Sequence, residues 1–252
     1  MILGFIGTGN IVSDVIAGIS NSKINYKKII ISPRNKNKAK NLKKKYKKIT
    51  IAKDNQAVID NSNWVFLGTL PNVGKKILPN LKFKKNQTVI SFMSTINYSE
   101  LKRLIKLKKN IVKAIPMPPI SLGKGPVAIF PKNKKVKNFF NRIGTTIEIK
   151  DEKSSKNFWT ISGTMASFYE LLNVLTNWLI KKKINKQDSQ KYVTHLYSAL
   201  AQLAASDTSK SLKYLVEEQT PGGLNWQGVN ELRKLGYYKL LEKSLKNIHK
   251  RL

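Results

Sequence analysis

The sequence contains no cysteine and only two histidines, His195 and His249, in 252 residues. Without cysteine there can be no disulfide, no thiolate nucleophile and no Cys-ligated zinc, and two histidines leave little for a histidine-based metal site. Acidic residues are scarce as well, with 14 Asp and Glu against 47 Lys and Arg. We therefore expect no metal centre, and we expect any chemistry to come from something other than the usual hydrolytic side chains.

Long apolar runs are also lacking. The most apolar later stretch, 164–180, carries Glu170, Asn173 and Asn177 and falls short of the roughly 20 apolar residues that a spanning helix needs. The first ten residues are apolar, but they lack a charged leader and are broken by glycines. The hydrophobic fraction of 41% is enough for a core and excludes a disordered basic tail. We expect a cytoplasmic protein without a membrane partner.

The formal net charge of +33 lies mainly in the first part of the chain. Residues 1–150 hold 31 basic and 5 acidic residues, and the remainder holds 16 and 9. Such an excess attracts nucleic acids and anionic surfaces. Only 5 of the 47 cations are Arg, however, and lysines spread without interleaved aromatics are weak evidence for base recognition. We interpret the excess as compositional and do not expect a nucleic-acid partner.

The first motif lies directly after the apolar run Ile2 to Ile6. It reads Gly-Thr-Gly-Asn-Ile-Val over residues 7–12, and apolar residues then recur at helical spacing. A strand, a glycine turn and a helix in this order form a phosphate-binding crossover, because the glycines admit a pyrophosphate and the helix start offers free N–H groups. Val12 stands where the motif has a third glycine. An ordinary tight turn is the alternative interpretation.

Further strands are predicted after this motif, near residues 28–32, 49–52, 64–68, 88–92 and 111–114. Helical patterns lie between them, at 38–46, 73–78 and 98–106. Alternating strands and helices indicate an α/β fold, a doubly wound parallel sheet of the Rossmann type, over residues 1–150. From 151 to 252 only helical spacing remains, which predicts a separate all-α domain.

The cofactor type can be argued from missing carboxylates. Enzymes that prefer NAD usually place Asp or Glu about 20 residues after the glycines, to bind the ribose 2′-hydroxyl. No acid occurs between Asp14 and Asp54. The second strand ends instead in Ser32, Arg34 and Asn35, which suit a 2′-phosphate. We therefore predict NADPH as the cofactor, with NAD as the less favoured alternative.

The helical part is apolar beyond a single stripe. Phe158, Ile161, Met165, Phe168, Leu172, Leu175 and Leu179 follow helical spacing, and Tyr169, Leu171, Val174 and Trp178 lie off that stripe. A helix that is apolar nearly all round needs burial on several sides, which about 100 residues cannot provide alone. We expect dimerisation through this domain, as a homodimer or a higher even oligomer. His195 is interpreted as a packed or surface residue.

Several motifs in order resemble those of pyrroline-5-carboxylate reductases. The resemblance begins at residues 4–11 and continues at Trp64–Pro71, Val89–Ser91, Ile115–Pro119 with Gly123–Gly125, Ser162–Thr164 and Thr220–Gly223. It covers most of the chain. It implies an N-terminal Rossmann domain, a C-terminal helical dimerisation and substrate domain, and NADPH-dependent reduction of pyrroline-5-carboxylate to proline in amino-acid biosynthesis.

Together, the motifs and the resemblance assign candidate site residues. The cofactor candidates are Gly7, Thr8, Gly9, Asn10, Ile11, Ser32, Arg34, Asn35, Gly68, Thr69, Leu70, Pro71 and Pro116. The candidates for substrate binding are Met117, Ser162, Gly163, Gly222, Gly223 and Asn225. Thr164 and Thr220 are the candidate proton donors.

Departures from the family pattern leave the substrate open. The family's Pro-Asn-Thr-Pro is Pro-Met-Pro-Pro at 116–119, and the two threonines after its Pro-Gly-Gly are Leu224 and Asn225. A site that lacks hydrogen-bond donors discriminates against a substrate that needs them. Besides pyrroline-5-carboxylate reduction, two alternatives therefore remain: reduction of a less polar imine or keto acid, and a non-catalytic cofactor- or nucleic-acid-binding role.

Overall fold

Eight strands form one sheet in the N-terminal part of the computed structural model, which describes residues 1–251. Their order is β3-β2-β1-β4-β5-β6-β7-β8. All neighbours pair in parallel except β6 and β7, which are antiparallel. The strands are β1 Ile2–Ile6, β2 Lys28–Ile31, β3 Ile49–Ile51, β4 Trp64–Leu67, β5 Thr88–Ser91, β6 Ile111–Pro116, β7 Pro126–Phe130 and β8 Thr145–Glu148.

Helices connect these strands and cover both faces of the sheet. Because strand side chains alternate between faces, the buried residues form two clusters, one containing Leu3 and Phe5 and the other containing Ile6 and Val65. The helices are α1 Asn10–Ser20, α2 Lys36–Lys45, α3 Asn55–Asp60, α4 Pro71–Ile77, α5 Tyr98–Ile105 and α6 Lys134–Phe140, with 3-10 turns at Leu78–Asn80 and Pro118–Leu122.

Four of these helices begin at a side-chain cap. Asn35, Asp54, Asn97 and Asn133 each accept a hydrogen bond from the backbone N–H three residues later, at 2.7–3.1 Å. A capping oxygen satisfies one of the N–H groups that a helix start leaves without an acceptor. Three of the four caps are Asn, so the helices start in place without adding acidic residues.

The chain divides into two compact units, Met1–Ser155 and the residues from Lys156 onward. In the second unit, helices α8 and α9 pack on each other, as do α11 and α12. Among its described residues Val193 is the single buried hydrophobic residue. Its helices, together with α7, which crosses the boundary, are α7 Glu152–Ser162, α8 Met165–Lys181, α9 Lys186–Ser206, α10 Leu212–Glu217, α11 Leu224–Lys234 and α12 Tyr237–Lys250.

The predicted α/β Rossmann fold followed by helices is confirmed, with three differences. Strands β7 and β8 were not predicted, and β7 runs antiparallel to β6, so the sheet is not entirely parallel. The apolar residues from Phe158 to Leu179 lie on two helices rather than one, because the helix is interrupted at Gly163 and Thr164. In the described part of the chain, no helix has the length and apolarity to cross a membrane.

Candidate functional site

A cleft of about 1100 Å³ lies at the carboxyl ends of β1, β2, β4 and β5. Strand order reverses between β1 and β4, and open α/β sheets bind ligands at such a point. Twelve of the thirteen predicted cofactor residues line this cleft. They are Gly7, Thr8, Gly9, Asn10, Ile11, Ser32, Arg34, Asn35, Gly68, Thr69, Leu70 and Pro71.

The glycine turn after β1 depends on glycine at position 7 for backbone reasons. Gly7 has a φ of +109°, and a Cβ there would lie 2.5 Å from the Gly68 carbonyl oxygen. Its N–H donates to the Ser32 hydroxyl at 2.9 Å, and Ser32 is only 1% exposed. Ser32 therefore holds the turn against the end of β2, at the wall of the cleft.

Gly9 requires a different explanation, because it caps α1 with an ordinary φ of −70°. A Cβ at this position would meet nothing closer than the Gly68 oxygen, at 4.0 Å. The space beside Gly9 is therefore the cleft itself. A ligand that approaches the backbone closely, as a pyrophosphate does, accounts for glycine here.

Val12 is accommodated by a glycine on the neighbouring strand end. A Cβ on Gly68 would lie 2.1 Å from Val12 Cγ2, and Val12 is fully buried. The motif's third glycine normally permits close packing of helix on strand. In this chain the small residue needed for close packing is Gly68, which lies after β4 rather than on α1.

The end of β2 brings several polar groups to the cleft. Arg34 is exposed there, and Asn35 accepts from the Lys38 N–H at 3.1 Å as the cap of α2. Lys38 Nζ donates to Asn10 Oδ1 at 2.9 Å, joining the first turns of α2 and α1. Asn35 is thus held in place by its own helix, whereas Arg34 is free to meet a ligand.

The other end of the cleft is lined by residues that follow β5. Phe92, Met93 and Ser94 lie there, and the Thr69 hydroxyl contacts Met93 Sδ at 3.6 Å. Met93 is buried, and a Cβ on Gly74 would lie 2.3 Å from its sulfur. Phe92 and Met93 give this end an apolar surface on which an aromatic ring can pack.

The lining is basic. Four cations line the cleft, and none of the described lining residues is Asp or Glu. A dinucleotide with an additional phosphate fits this set of donors, because Lys and Arg neutralise phosphates and carboxylates would repel them. Seven further polar residues line the cleft outside the predicted cofactor set: Lys36, Asn37, Lys38, Asn55, Asn72, Lys76 and Ser94. Lys36 and Lys38 follow Arg34 in the acid-free stretch, and their ammonium groups also suit a 2′-phosphate, whereas the other five had no signal in the sequence beyond their position after predicted strands.

Pro116 and Met117 do not line this cleft. Pro116 is buried at the end of β6, where it pairs with Val127 of β7. The 3-10 turn that follows packs on α1, since a Cβ on Gly18 would lie 2.3 Å from the Ile120 carbonyl oxygen. The predicted role of Pro116 beside the nicotinamide thus remains a prediction from the resemblance.

In the second unit, Ser162, Gly163 and Thr164 form the break between α7 and α8. The Thr164 hydroxyl donates to the Ile161 carbonyl at 2.7 Å, and that of Ser162 to Phe158 at 3.1 Å. A Cβ on Gly163 would lie 3.0 Å from Ile248 of α12, so the C-terminal helix packs on this break.

A second turn, between α10 and α11, contains Thr220, Gly222, Gly223 and Asn225. Gly222 has a φ of +75°, which favours glycine, and the Gly223 N–H donates to the Thr220 carbonyl at 3.0 Å. Asn225 Nδ2 donates to Gln219 Oε1 at 2.9 Å. The turn is exposed, so its side chains are accessible to a ligand.

His195 is exposed, and its Nδ1 lies 2.8 Å from the Lys191 carbonyl oxygen of the same helix. Its position agrees with the interpretation as a surface residue. No group of three or more His, Cys, Asp or Glu residues that could hold a metal ion occurs within residues 1–251.

The chain is similar to known reductases over nearly its whole length. Residues 2–95 match the family described as NADP oxidoreductase, coenzyme F420-dependent. Pyrroline-5-carboxylate reductase of Haemophilus influenzae is 23% identical over 88% of this chain and 85% of its own length. Pyrroline-5-carboxylate reductase of Aquifex aeolicus is 21% identical over 94% of this chain and 91% of its own length.

Solved structures of pyrroline-5-carboxylate reductases have the same fold as this chain. The enzyme from Coxiella burnetii superposes with a TM-score of 0.85 at 21% identity, over 99% of this chain and 96% of the other. Pyrroline carboxylate reductase of Plasmodium falciparum, solved with NADP bound, gives 0.81 at 21% identity, over 99% and 95%.

Proposed function

We propose that the protein is an NADPH-dependent oxidoreductase that reduces the C=N bond of pyrroline-5-carboxylate to give proline. The observation that carries this proposal is the cleft with a glycine turn and four cations, at the point where the strand order of the sheet reverses. The chain is also similar, over most of its length, to curated proteins named pyrroline-5-carboxylate reductase.

NADPH supplies the hydride, so the side chains have little covalent chemistry to perform. The backbone around Gly7, Gly9 and Asn10 would hold the pyrophosphate of the cofactor, and Arg34 would hold its 2′-phosphate. Phe92 and Met93 would shield the nicotinamide from water, and Gly68, Thr69, Leu70 and Pro71 would border it. These residues bind, orient and exclude water, which accounts for an enzyme without cysteine and with few histidines.

The substrate and its proton are assigned to the second unit. Gly222, Gly223 and Asn225 would bind the carboxylate through backbone and amide N–H groups, and Ser162 and Gly163 would border the imine ring. Met117 of the first unit is proposed as a substrate residue on the resemblance alone. Thr164 and Thr220 are the proposed proton donors. The Thr164 hydroxyl hydrogen is already donated to Ile161, so it must rotate away from that carbonyl to serve the imine nitrogen.

We also propose a homodimer formed through the helical unit. Its exposed residues include Phe168, Val174, Trp178, Leu200 and Leu203, and it buries little hydrophobic area of its own. An apolar surface of this extent favours association with a second copy. The cytoplasmic location expected from the sequence stays a prediction.

The test follows the absorbance of NADPH while purified protein is mixed with a panel of imines. We expect turnover with pyrroline-5-carboxylate, and a lower rate with rings that lack the carboxylate. Turnover with none of the imines, or with keto acids alone, would contradict the proposal.

A second candidate, reduction of a less polar imine, rests on Leu224, which is exposed where the family has a carboxylate-binding threonine. Faster turnover of a ring without the carboxylate would favour it.

A further inference from the structure

Lys38 is one of the four cations that line the cleft. It lies in the first turn of α2, where the Asn35 cap accepts from its backbone N–H. Its ammonium reaches back to α1 and donates to Asn10 Oδ1 at 2.9 Å, although the two residues are 28 positions apart. The contact spans the gap between the carboxyl ends of β1 and β2.

Asn10 is the first residue of α1, after the cap Gly9. The opening N–H groups of a helix have no intrahelical acceptor, and a phosphate at this end accepts hydrogen bonds from them. An ammonium has three hydrogens, and the contact with Asn10 uses one of those of Lys38. Its other hydrogens and its charge are therefore held at the place where a pyrophosphate would meet α1.

Arg34 occupies a different position, on the loop directly after β2 and before the cap of α2. That loop is where dinucleotide-binding folds distinguish the 2′-hydroxyl from the 2′-phosphate. The two cations should therefore act on different phosphates of the same cofactor. Lys40, two residues beyond Lys38 on the same helix, is exposed but does not line the cleft.

We propose that Lys38, held by Asn10, is a pyrophosphate-binding residue that contributes to affinity for NADPH and NADH alike, while Arg34 sets the preference between them. This proposal rests on the proposed function only in taking the cleft as a dinucleotide site. In this proposal the pyrophosphate is bound by the Lys38 side chain of α2 as well as by the backbone of the glycine turn.

The test measures binding of NADPH, NADH and ADP by titration calorimetry at one fixed salt concentration. Lys38→Met should weaken all three ligands about tenfold and leave the NADPH to NADH affinity ratio within about twofold of its original value. Lys38→Arg, which keeps a positive charge, should recover most of the affinity. Lys40→Met, the matched control, removes the same charge outside the cleft and should change none of the three by more than about twofold.

Two outcomes would overturn the proposal. Unchanged affinity in Lys38→Met would show that its charge does not reach the ligand, and weakening of NADPH alone would place Lys38 at the 2′-phosphate. A wild-type protein that binds none of the three ligands would refute both this proposal and the proposed function. Thermal unfolding of each variant, expected within a few degrees of wild type, shows that the fold is kept.

Discussion

Arg34 is the residue on which the choice of nicotinamide cofactor depends. It is exposed at the cleft, in a stretch without acidic residues that could bind a ribose 2′-hydroxyl. A guanidinium binds phosphate through charge-assisted hydrogen bonds worth about 1.5–3 kcal/mol.

Replacing Arg34 by Ala should therefore lower NADPH affinity about 10- to 100-fold and change NADH affinity little. Arg34→Lys should fall between Ala and wild type, because Lys keeps the charge but loses the planar pair of donors. Titration of both cofactors against the three proteins checks this. Equal losses for NADPH and NADH would show that Arg34 does not bind the 2′-phosphate.

Val12 and Gly68 form a pair in which each residue limits the size of the other. Gly68→Ala places a Cβ against Val12 Cγ2 and should cost about 2 kcal/mol of unfolding free energy, as overpacking does. The same substitution made in a Val12→Ala background should cost at least about 1 kcal/mol less. Urea unfolding of the four proteins measures this coupling, and purely additive costs would contradict it.

Gly9→Ala provides the control for that experiment. Its Cβ would meet no atom closer than 4.0 Å, so the unfolding free energy should stay nearly constant. NADPH affinity should nevertheless fall, since the added methyl group enters the cleft. A large loss of stability in Gly9→Ala would mean that packing rather than the ligand requires glycine there.

At the scale of residues, the glycine turn was predictable because strand, turn and helix are adjacent in sequence. Neither the contact of Lys38 with Asn10 nor that of Val12 with Gly68 could be predicted, because each forms only when separate segments of the sheet come together. Val12 is recognisable in the sequence as a departure from the glycine motif, but the glycine that makes room for it, Gly68, follows a strand more than fifty residues later.

Among the elements, the start of α7 is fixed by a partly buried ion pair. Lys113 of β6 is 5% exposed in its side chain, and its Nζ lies 2.5 Å from Glu152 Oε1. The same carboxylate accepts from the Tyr98 N–H at 2.8 Å, and Lys113 also donates to the Ser94 carbonyl at 3.2 Å. Burial, and after it the charge of Glu152, raises the pKa of Tyr98.

Glu152→Gln should destabilise the first unit by about 3 kcal/mol, because it removes the charge opposite a buried ammonium. Glu148→Gln serves as the comparison, since its partner Lys137 is 40% exposed and the pair should contribute less than about 1 kcal/mol. Chemical denaturation of both variants gives the two values. Equal losses would contradict the dependence on burial.

Strands β1 to β6 were predictable because each is a short β-branched run next to a turn or a helical pattern. Strand β7 is also a short apolar run, but it follows a glycine- and proline-rich loop, and its pairing with β6 is antiparallel. A short apolar run does not specify its direction or its partner. Strand β8 lies at the sheet edge and contains Thr145, Thr146 and Glu148. With a single apolar residue, its sequence does not show the alternation that would distinguish a strand from a loop.

Across the whole molecule, hydrophobic burial is unevenly distributed between the two units. The first unit has two extensive core clusters, whereas the helices of the second leave large apolar side chains exposed. A unit that cannot bury enough apolar area alone gains stability by association.

We expect sedimentation equilibrium to give twice the chain mass, and Val174→Glu with Trp178→Glu to shift the protein toward monomer with a lower unfolding temperature. These two side chains lie one turn apart on α8 and are more than half exposed. Lys40→Gln also lowers the net charge of the protein, but at an exposed position of α2 in the first unit, so this variant should remain dimeric. A wild-type monomer at micromolar concentration would refute the dimer.

The asparagine caps have a consequence for behaviour in acid. An aspartate cap loses its acceptor charge when it is protonated, whereas an amide has no proton to gain in this range. Helices α2, α5 and α6 begin at Asn35, Asn97 and Asn133, whose amides carry no titratable proton. These three helix starts should therefore keep their caps when the protein is acidified.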